Sequence, residues 1–172
     1  LITRRAQDAG VQMVTIHGRT RCQFYKGRAD WAAIAAVKDA VDIPVIANGD
    51  IVDTHSAKQA LAQSGADGVM VGRGAQGRPW ILAQIAHDIF GTDAPIVPKG
   101  NDLIDLISNH YEAILKFYGT ELGSRVSRKH IGWYMDDLGT SRALRRAIQT
   151  EKNTDVVLYL IAQLLDDQKV AA

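Results

Sequence analysis

The feature that most constrains this chain is a threefold recurrence in its first 90 residues. A short apolar, β-branched run leads into a polar or glycine-bearing turn, and a helical pattern follows. The runs are "VQMVTIH" (11–17), "IPVIAN" (43–48) and "GVMVG" (68–72). Equivalent positions Val14, Ile46 and Met70 are 32 and 24 residues apart, the spacing of successive βα units. The runs are continuous rather than alternating, which predicts parallel strands covered on both faces. The helical stretches are 31–41, with Asp30 as N-cap, 54–63, ended by Ser64-Gly65, and 79–90, with Pro79 in the first turn. Three such units cannot close a barrel of about eight strands, but they can be its last three. The fold class read here is α/β: the last three βα units of a (β/α)8 TIM barrel, followed by an all-α helical bundle.

The boundary comes from composition. "GTDAPIVPKG" (91–100) holds two of the four prolines, and everything beyond it has helical periodicity. This places the barrel part at 1–92, a linker at 93–100 and the bundle at 101–172. Asn101-Asp102 is expected to cap a helix reaching Tyr118, with Leu103, Ile107, Tyr111, Ile114 and Tyr118 on its apolar stripe and Gly119 as its stop. Three further helices are predicted over 123–138, 141–150 and 154–168. A single cysteine, Cys22, excludes a disulfide framework. No apolar stretch approaches the roughly 20 residues of a membrane span, and no ligand-like His/Cys pattern points to a metal. The expectation is therefore a cytoplasmic protein without membrane or metal; the sequence sets no oligomeric state. The chain opens on Leu1, and its first residues read as a helix tail, so a fragment or processed chain is expected.

Residues 72–77 read G-R-G-A-Q-G and match G-x-G-x-x-G. A dinucleotide site needs that turn after the first strand of a βαβ unit, with an acidic residue about 20 positions on at the end of the second strand. Here the turn follows the third run, and Asp93, at the right distance, sits in the linker. The competing reading places a phosphate between two consecutive βα turns of a barrel. Asn48-Gly49-Asp50 and Gly72-Arg73-Gly74 supply that pair. Glycine lets backbone N–H groups approach an anion, and a guanidinium adds a forked charged donor. Asp50 repels a phosphate, so its side chain is expected to turn to a hydroxyl or a helix end. His17 ends the first run at the same rim, where it can donate to an anion or simply bond nearby backbone. Arg19 and Arg21 follow in a loop with Phe24, Tyr25, Lys26 and Arg28, suited to an anionic, stackable partner or to plain solvation.

The bundle carries a local charge asymmetry although the whole chain is only +1. Between Lys116 and Arg146 lie seven basic and three acidic residues. Arg125, Arg128 and Lys129 share one helix face at i, i+3, i+4. Arg142, Arg145 and Arg146 repeat the arrangement on the next helix. Such faces bind nucleic-acid phosphates or are simply solvated. His130, Trp133 and Tyr134 could stack bases or pack a core.

Together, "HGRTR" (17–21), the Y-x-G-x-A-D-W pattern (25–31), "IPVIANGDI" (43–51), "GADGVMVGRGAQGRPW" (65–80) and "RKHIGWY" (128–134) resemble, in order, the motifs of the tRNA-dihydrouridine synthases, closest to the bacterial B-type enzymes. The resemblance implies FMN at a barrel mouth, with His17 against the flavin, Asn48, Gly49 and Asp50 on the rim, and Gly72 and Arg73 on the phosphate. It implies that Arg19 faces the substrate pocket, and beside it the basic helix faces of Arg125, Arg128, Lys129, Arg142, Arg145 and Arg146 are read as a tRNA surface. The implied reaction reduces a uridine C5=C6 bond in tRNA, with NAD(P)H as reductant, on a base taken out of the stack. The family's proton-donating cysteine sits upstream of these residues. Cys22 does not match it, so no catalytic residue is assigned and these residues alone are expected to be inactive. Two alternatives stand beside this: a non-catalytic RNA-binding module, and another FMN barrel acting on a small molecule.

Overall fold

The structure, a computed structural model, describes residues 1–171. They form two compact units: Leu1–Ala75 with Pro79–Pro95, and Gln76–Arg78 with the chain from Ile96 onward.

The first unit runs α1 (Ile2–Asp8), β1 (Val14–His17), α2 (Ala32–Lys38), β2 (Val45–Asn48), α3 (Thr54–Ser64), β3 (Gly68–Met70), a 3-10 turn (Arg73–Ala75) and α4 (Ile81–Phe90). The strands form a parallel sheet in the order β1-β2-β3, with Val14 opposite Val45 and Ile46 opposite Gly68. This register puts Val14, Ile16, Val45, Ala47 and Val69 on one face. Val45 and Ala47 are fully buried there with Ile34 of α2. Val69 packs against a neighbouring cluster of Ile51, Ala57, Ala60, Ile81 and Ile85.

The other face carries Thr15, His17, Ile46, Asn48 and Met70, of which Thr15, His17 and Met70 are exposed. The reading of strands covered on both faces therefore holds for one face only. Connections between adjacent parallel strands keep one hand, so α2 and α3 fall on the same side of the sheet.

Local chemistry fixes the units. Asp67 accepts the Val45 N–H at 2.8 Å and the Lys38 ammonium at 2.8–2.9 Å, tying the turn before β3 to β2 and α2. Asp53 and Ser56 form a reciprocal capping box at the start of α3, and Gly65 ends that helix in the left-handed conformation. Asp30 accepts the Ala33 N–H at 3.0 Å, so it caps α2 although Trp31 stands at the N-cap position.

The second unit is helical: α5 (Asn101–Tyr118), α6 (Thr120–Leu138), α7 (Arg142–Thr150), α8 (Thr154–Ala162) and α9 (Leu164–Ala171). Its core joins Ile104, Ile107, Tyr111 and Ile114 to Ile131, Tyr134, Met135, Ile148, Val157, Ile161 and Leu164. The α5 stripe is rotated slightly from the predicted one: Ile104 is buried, while Tyr118 is 47% exposed. Asn101 is the first helical residue rather than the cap, which falls on Gly100. The predicted helix over 154–168 breaks at Gln163. The Gln163 carbonyl accepts the N–H groups of Asp166 and Asp167, and the Asp167 carboxylate accepts both the N–H and the hydroxyl of Ser141, the N-cap of α7. The first bonds begin α9, and the second tie it to the start of α7.

The capping box gives a direct stability test. Asp53→Ala removes the acceptor of the Ser56 N–H and is expected to lower stability by about 1 kcal/mol, read from the urea midpoint. An unchanged midpoint would show that the box contributes nothing.

Candidate functional site

Because the strands are parallel, the turns that follow them gather at one end of the sheet. They are the 18–30 loop after β1, Gly49–Asp53 after β2 and Val71–Ala75 after β3. Gly49 sits where no side chain fits. Its φ is +113°, and a Cβ would lie 2.9 Å from both His17 Cε1 and the Ala29 methyl. Its carbonyl accepts the Trp31 indole N–H at 2.8 Å. Asp50 follows with φ +54°, a left-handed conformation rare for a non-glycine residue.

The Asp50 carboxylate joins all three turns. One oxygen accepts from the Arg19 guanidinium at 2.5 Å and from the Ala29 N–H at 2.8 Å. The other lies 3.4 Å from Arg73 Nη2. Burial pushes this carboxyl's pKa up, but the bonds from Arg19 and Ala29, with the charges of Arg19 and Arg73, hold it below the usual carboxylate value. The predicted turn of Asp50 to a hydroxyl or helix end is thus corrected: two guanidinium groups and a loop N–H take it instead.

Arg19 is turned under its own loop. Its side chain is only 3% exposed. Nε donates to the Lys26 carbonyl at 3.2 Å and Nη2 to the Gly27 carbonyl at 2.7 Å, so the residue folds its own loop back on itself. Its Nη1 is buried without a partner among the described residues. His17 is exposed, and its Nδ1 accepts the Arg19 N–H at 3.2 Å. An amide can only donate, so the neutral ring carries its proton on Nε2 and presents a donor. Asn48 donates to the Met70 carbonyl at 2.8 Å, joining the ends of β2 and β3.

The three glycines of 72–77 separate into three roles. A Cβ on Gly72 would meet nothing within 4 Å. One on Gly74 would lie 2.6 Å from the Ile51 carbonyl and Val52 Cα, so this glycine presses the third turn onto the second. Gly77, in the second unit, has φ +74° and lies against α6, where a Cβ would be 2.5 Å from the Trp133 carbonyl. No strand follows β3 among the described residues, so the βαβ setting of a dinucleotide turn is not present. The backbone at Gly72 meets open space, and the Arg73 guanidinium beside it is 57% exposed, so both are accessible to an anion. Tyr25, which sequence reasoning placed only in a basic loop, backs that guanidinium with its ring centroid 5.0 Å from Cζ.

In the helical unit, Arg125, Lys129, Arg142 and Arg146 are exposed and Arg128 is half-buried. Arg125 pairs with Glu121 at 3.5 Å, one turn away. Arg145 is committed to the Asp136 carboxylate and reaches the Gly132 carbonyl at 3.4 Å, so it braces α7 on α6. Lys129 lies over the Trp133 ring at 5.5 Å. His110 of α5 stands edge-on to His130 and Tyr134 of α6 and is 3.1 Å from the Tyr134 hydroxyl. Tyr134 is therefore core, not a stacking surface. Burial lowers the pKa of both histidines, His110 further by its neighbour His130 and His130 by Lys129.

These features define an α/β unit whose three turns meet at Asp50, and a helical unit with a basic surface. The model of the dihydrouridine synthase family (Dus) matches residues 1–170, and the chain belongs to that family. It is 54% identical over 170 residues to a Rhodobacter capsulatus protein named "Probable tRNA-dihydrouridine synthase", covering 99% of this chain and 52% of the relative. A Rickettsia conorii protein of the same name is 48% identical, over 94% of this chain and 49% of the relative. The tRNA-dihydrouridine synthase B of Xanthomonas axonopodis pv. citri is 42% identical, over 96% and 50%. The chain thus spans about half the length of the curated relatives it matches. Among the described residues no helix is long and apolar enough to cross a membrane.

Two outcomes test this geometry. Gly74→Ala should destabilise the protein by about 1–3 kcal/mol, because backbone must move to admit the methyl group, whereas Gly72→Ala should leave the thermal midpoint unchanged. Equal effects on melting would contradict the division of roles. For the histidine pair, folded-state pKa values below the usual 6.5 mean that the unfolded chain binds more protons. Stability should therefore fall as pH drops from about 7.5 to about 5.5, and His110→Asn should flatten that urea-midpoint profile.

Proposed function

We propose that these residues supply the phosphate-binding rim and the tRNA-binding helices of an FMN-dependent tRNA-dihydrouridine synthase. The observation that carries this is the open space at Gly72 beside the exposed Arg73, one turn from Asn48-Gly49-Asp50 on the same end of a parallel sheet. On this reading residues 1–92 are the last three βα units of a (β/α)8 barrel, 93–100 a linker, and the helical part from 101 to 172 the tRNA-binding domain. The bare face of the sheet supports the barrel reading. Its residues alternate with those packed on α2 and α3, as inward-pointing residues do when a sheet closes on itself.

Gly72 and Arg73 hold the phosphate: one lets backbone approach, the other adds charged donors. Asn48 and Gly49 shape the neighbouring wall, with Gly49 fixed against His17. The His17 Nε2–H donates toward the ring system. When bound, the flavin supplies hydride to the uridine C5=C6 bond, with NAD(P)H as the electron source. No residue in this stretch is assigned the proton-donor role. On the helices, Arg128, Lys129, Arg142 and Arg146 take tRNA phosphates, while Arg125 must first exchange Glu121 for a phosphate. That exchange costs little, since an exposed pair of this kind contributes only about 0.3–0.5 kcal/mol.

Two measurements on the full-length protein test the assignment. Arg73→Ala should weaken FMN binding by about tenfold or more, the scale of a lost charge-assisted contact; undiminished flavin content would refute the phosphate role. Arg128→Ala combined with Lys129→Ala should weaken tRNA binding and reduce its salt slope by about 2, with flavin content intact. Unaltered tRNA affinity would favour a flavin barrel with a small-molecule substrate.

A further inference from the structure

The row Arg19–Asp50–Arg73 poses a problem of charge. A carboxylate stands 3.4 Å from the guanidinium that is to receive an anion. Left alone, Asp50 would cancel the charge of Arg73 and repel a phosphate. Nor can the carboxylate turn away. Its residue is held in a left-handed corner, and the Ala29 N–H grips one oxygen at 2.8 Å.

Arg19 meets that charge from behind. Its Nη2 lies 2.5 Å from the same oxygen, and its side chain is 3% exposed. Nε and Nη2 are also spent on the carbonyls of Lys26 and Gly27, so the guanidinium cannot swing out to a ligand. Arg73 is its opposite: 57% exposed, with one long contact to Asp50 and the face of Tyr25 behind it. Two guanidinium groups and one carboxylate leave one positive charge, and the exposed guanidinium is that of Arg73.

We propose that Arg19 is a positioning residue for the anion site, acting through Asp50: by neutralising this carboxylate from the buried side, it leaves Arg73 free to bind the phosphate. The proposal rests on the FMN-phosphate reading of the rim and assigns Arg19 no contact with substrate.

The test compares FMN with riboflavin, which lacks the phosphate, on full-length apoprotein by flavin fluorescence. The FMN-to-riboflavin affinity ratio isolates the phosphate contact, and riboflavin binding reports the integrity of the rest of the site. Arg19→Gln should lower the ratio about tenfold with riboflavin affinity nearly unchanged. Asp50→Asn added to Arg19→Gln should restore the ratio, because no carboxylate then remains to cancel Arg73. Asparagine tolerates the left-handed conformation and keeps an acceptor for Ala29. A purely structural Arg19 would weaken both flavins alike, with no rescue, and that result overturns the proposal. So does an unchanged ratio in Arg19→Gln. If Arg19→Gln does not fold, Asp50→Asn alone decides: a ratio at or above wild type supports the proposal, and a fall overturns it. Arg73→Ala serves as the separate control. If it leaves the ratio intact, the phosphate reading itself fails, whatever Arg19 does.

Discussion

The candidate site depends on one carboxylate. Asp50 is in contact with all three turns: Ala29 and Arg19 from the first loop, its own backbone in the second, Arg73 from the third. A parallel sheet brings the turns to one end but does not fix their distances, because loops are the softest part of such a unit. Charge-assisted hydrogen bonds supply that fixing. Gly49 completes it by bringing the second turn against His17 and Ala29 at a distance no other residue allows. The left-handed backbone at Asp50 is the cost of aiming the carboxylate at both arginines, a strain that neighbouring contacts must hold in place.

That construction explains what the sequence could and could not reveal. The three strands, the helices of the first unit and both glycine-bearing turns follow from residue type and spacing, which act over a few positions. So does the left-handed stop at Gly65. The partners of Asp50 do not. Arg19 lies 31 positions away from it, and nothing local separates an arginine facing solvent from one folded under its own loop. The bare face of the sheet was equally hidden. Apolar residues stand on both faces of these strands, Ile46 and Met70 on the bare one, so a continuous run predicts cover everywhere, whereas crossover handedness puts both helices on one side. In the helical unit the break at Gln163 has no proline or glycine to announce it, and the contact of the Asp167 carboxylate with Ser141 is one that only the folded chain brings together.

The G-x-G-x-x-G match shows how one pattern can arise without its usual cause. In a dinucleotide turn the three glycines serve a tight turn, a close pyrophosphate and helix–strand packing. Here Gly74 is pressed on the preceding βα turn and Gly77 on α6, contacts between backbones rather than with a ligand. Only Gly72 faces open space. The spacing satisfies a motif because close packing selects glycine as strongly as a phosphate does, so the motif alone cannot distinguish the two.

The basic helices require the same care. A count by sequence gives a surplus of four positive charges between Lys116 and Arg146, but charges differ in what they are free to do. Arg145 is partly buried, holding the Asp136 carboxylate and reaching the Gly132 carbonyl; turning it toward a polyanion would strip two acceptors at a helix contact. Arg125 and Glu121 are both largely exposed, so their pairing is weak and screened, and a phosphate can replace the glutamate at little loss. Lys129 rests on an indole face, which leaves its ammonium charged and at the surface. The polyanion-binding capacity of this surface is therefore set by how each cation is already engaged: the Arg145–Asp136 pair cancels within the surplus of four, and the remaining cations supply it.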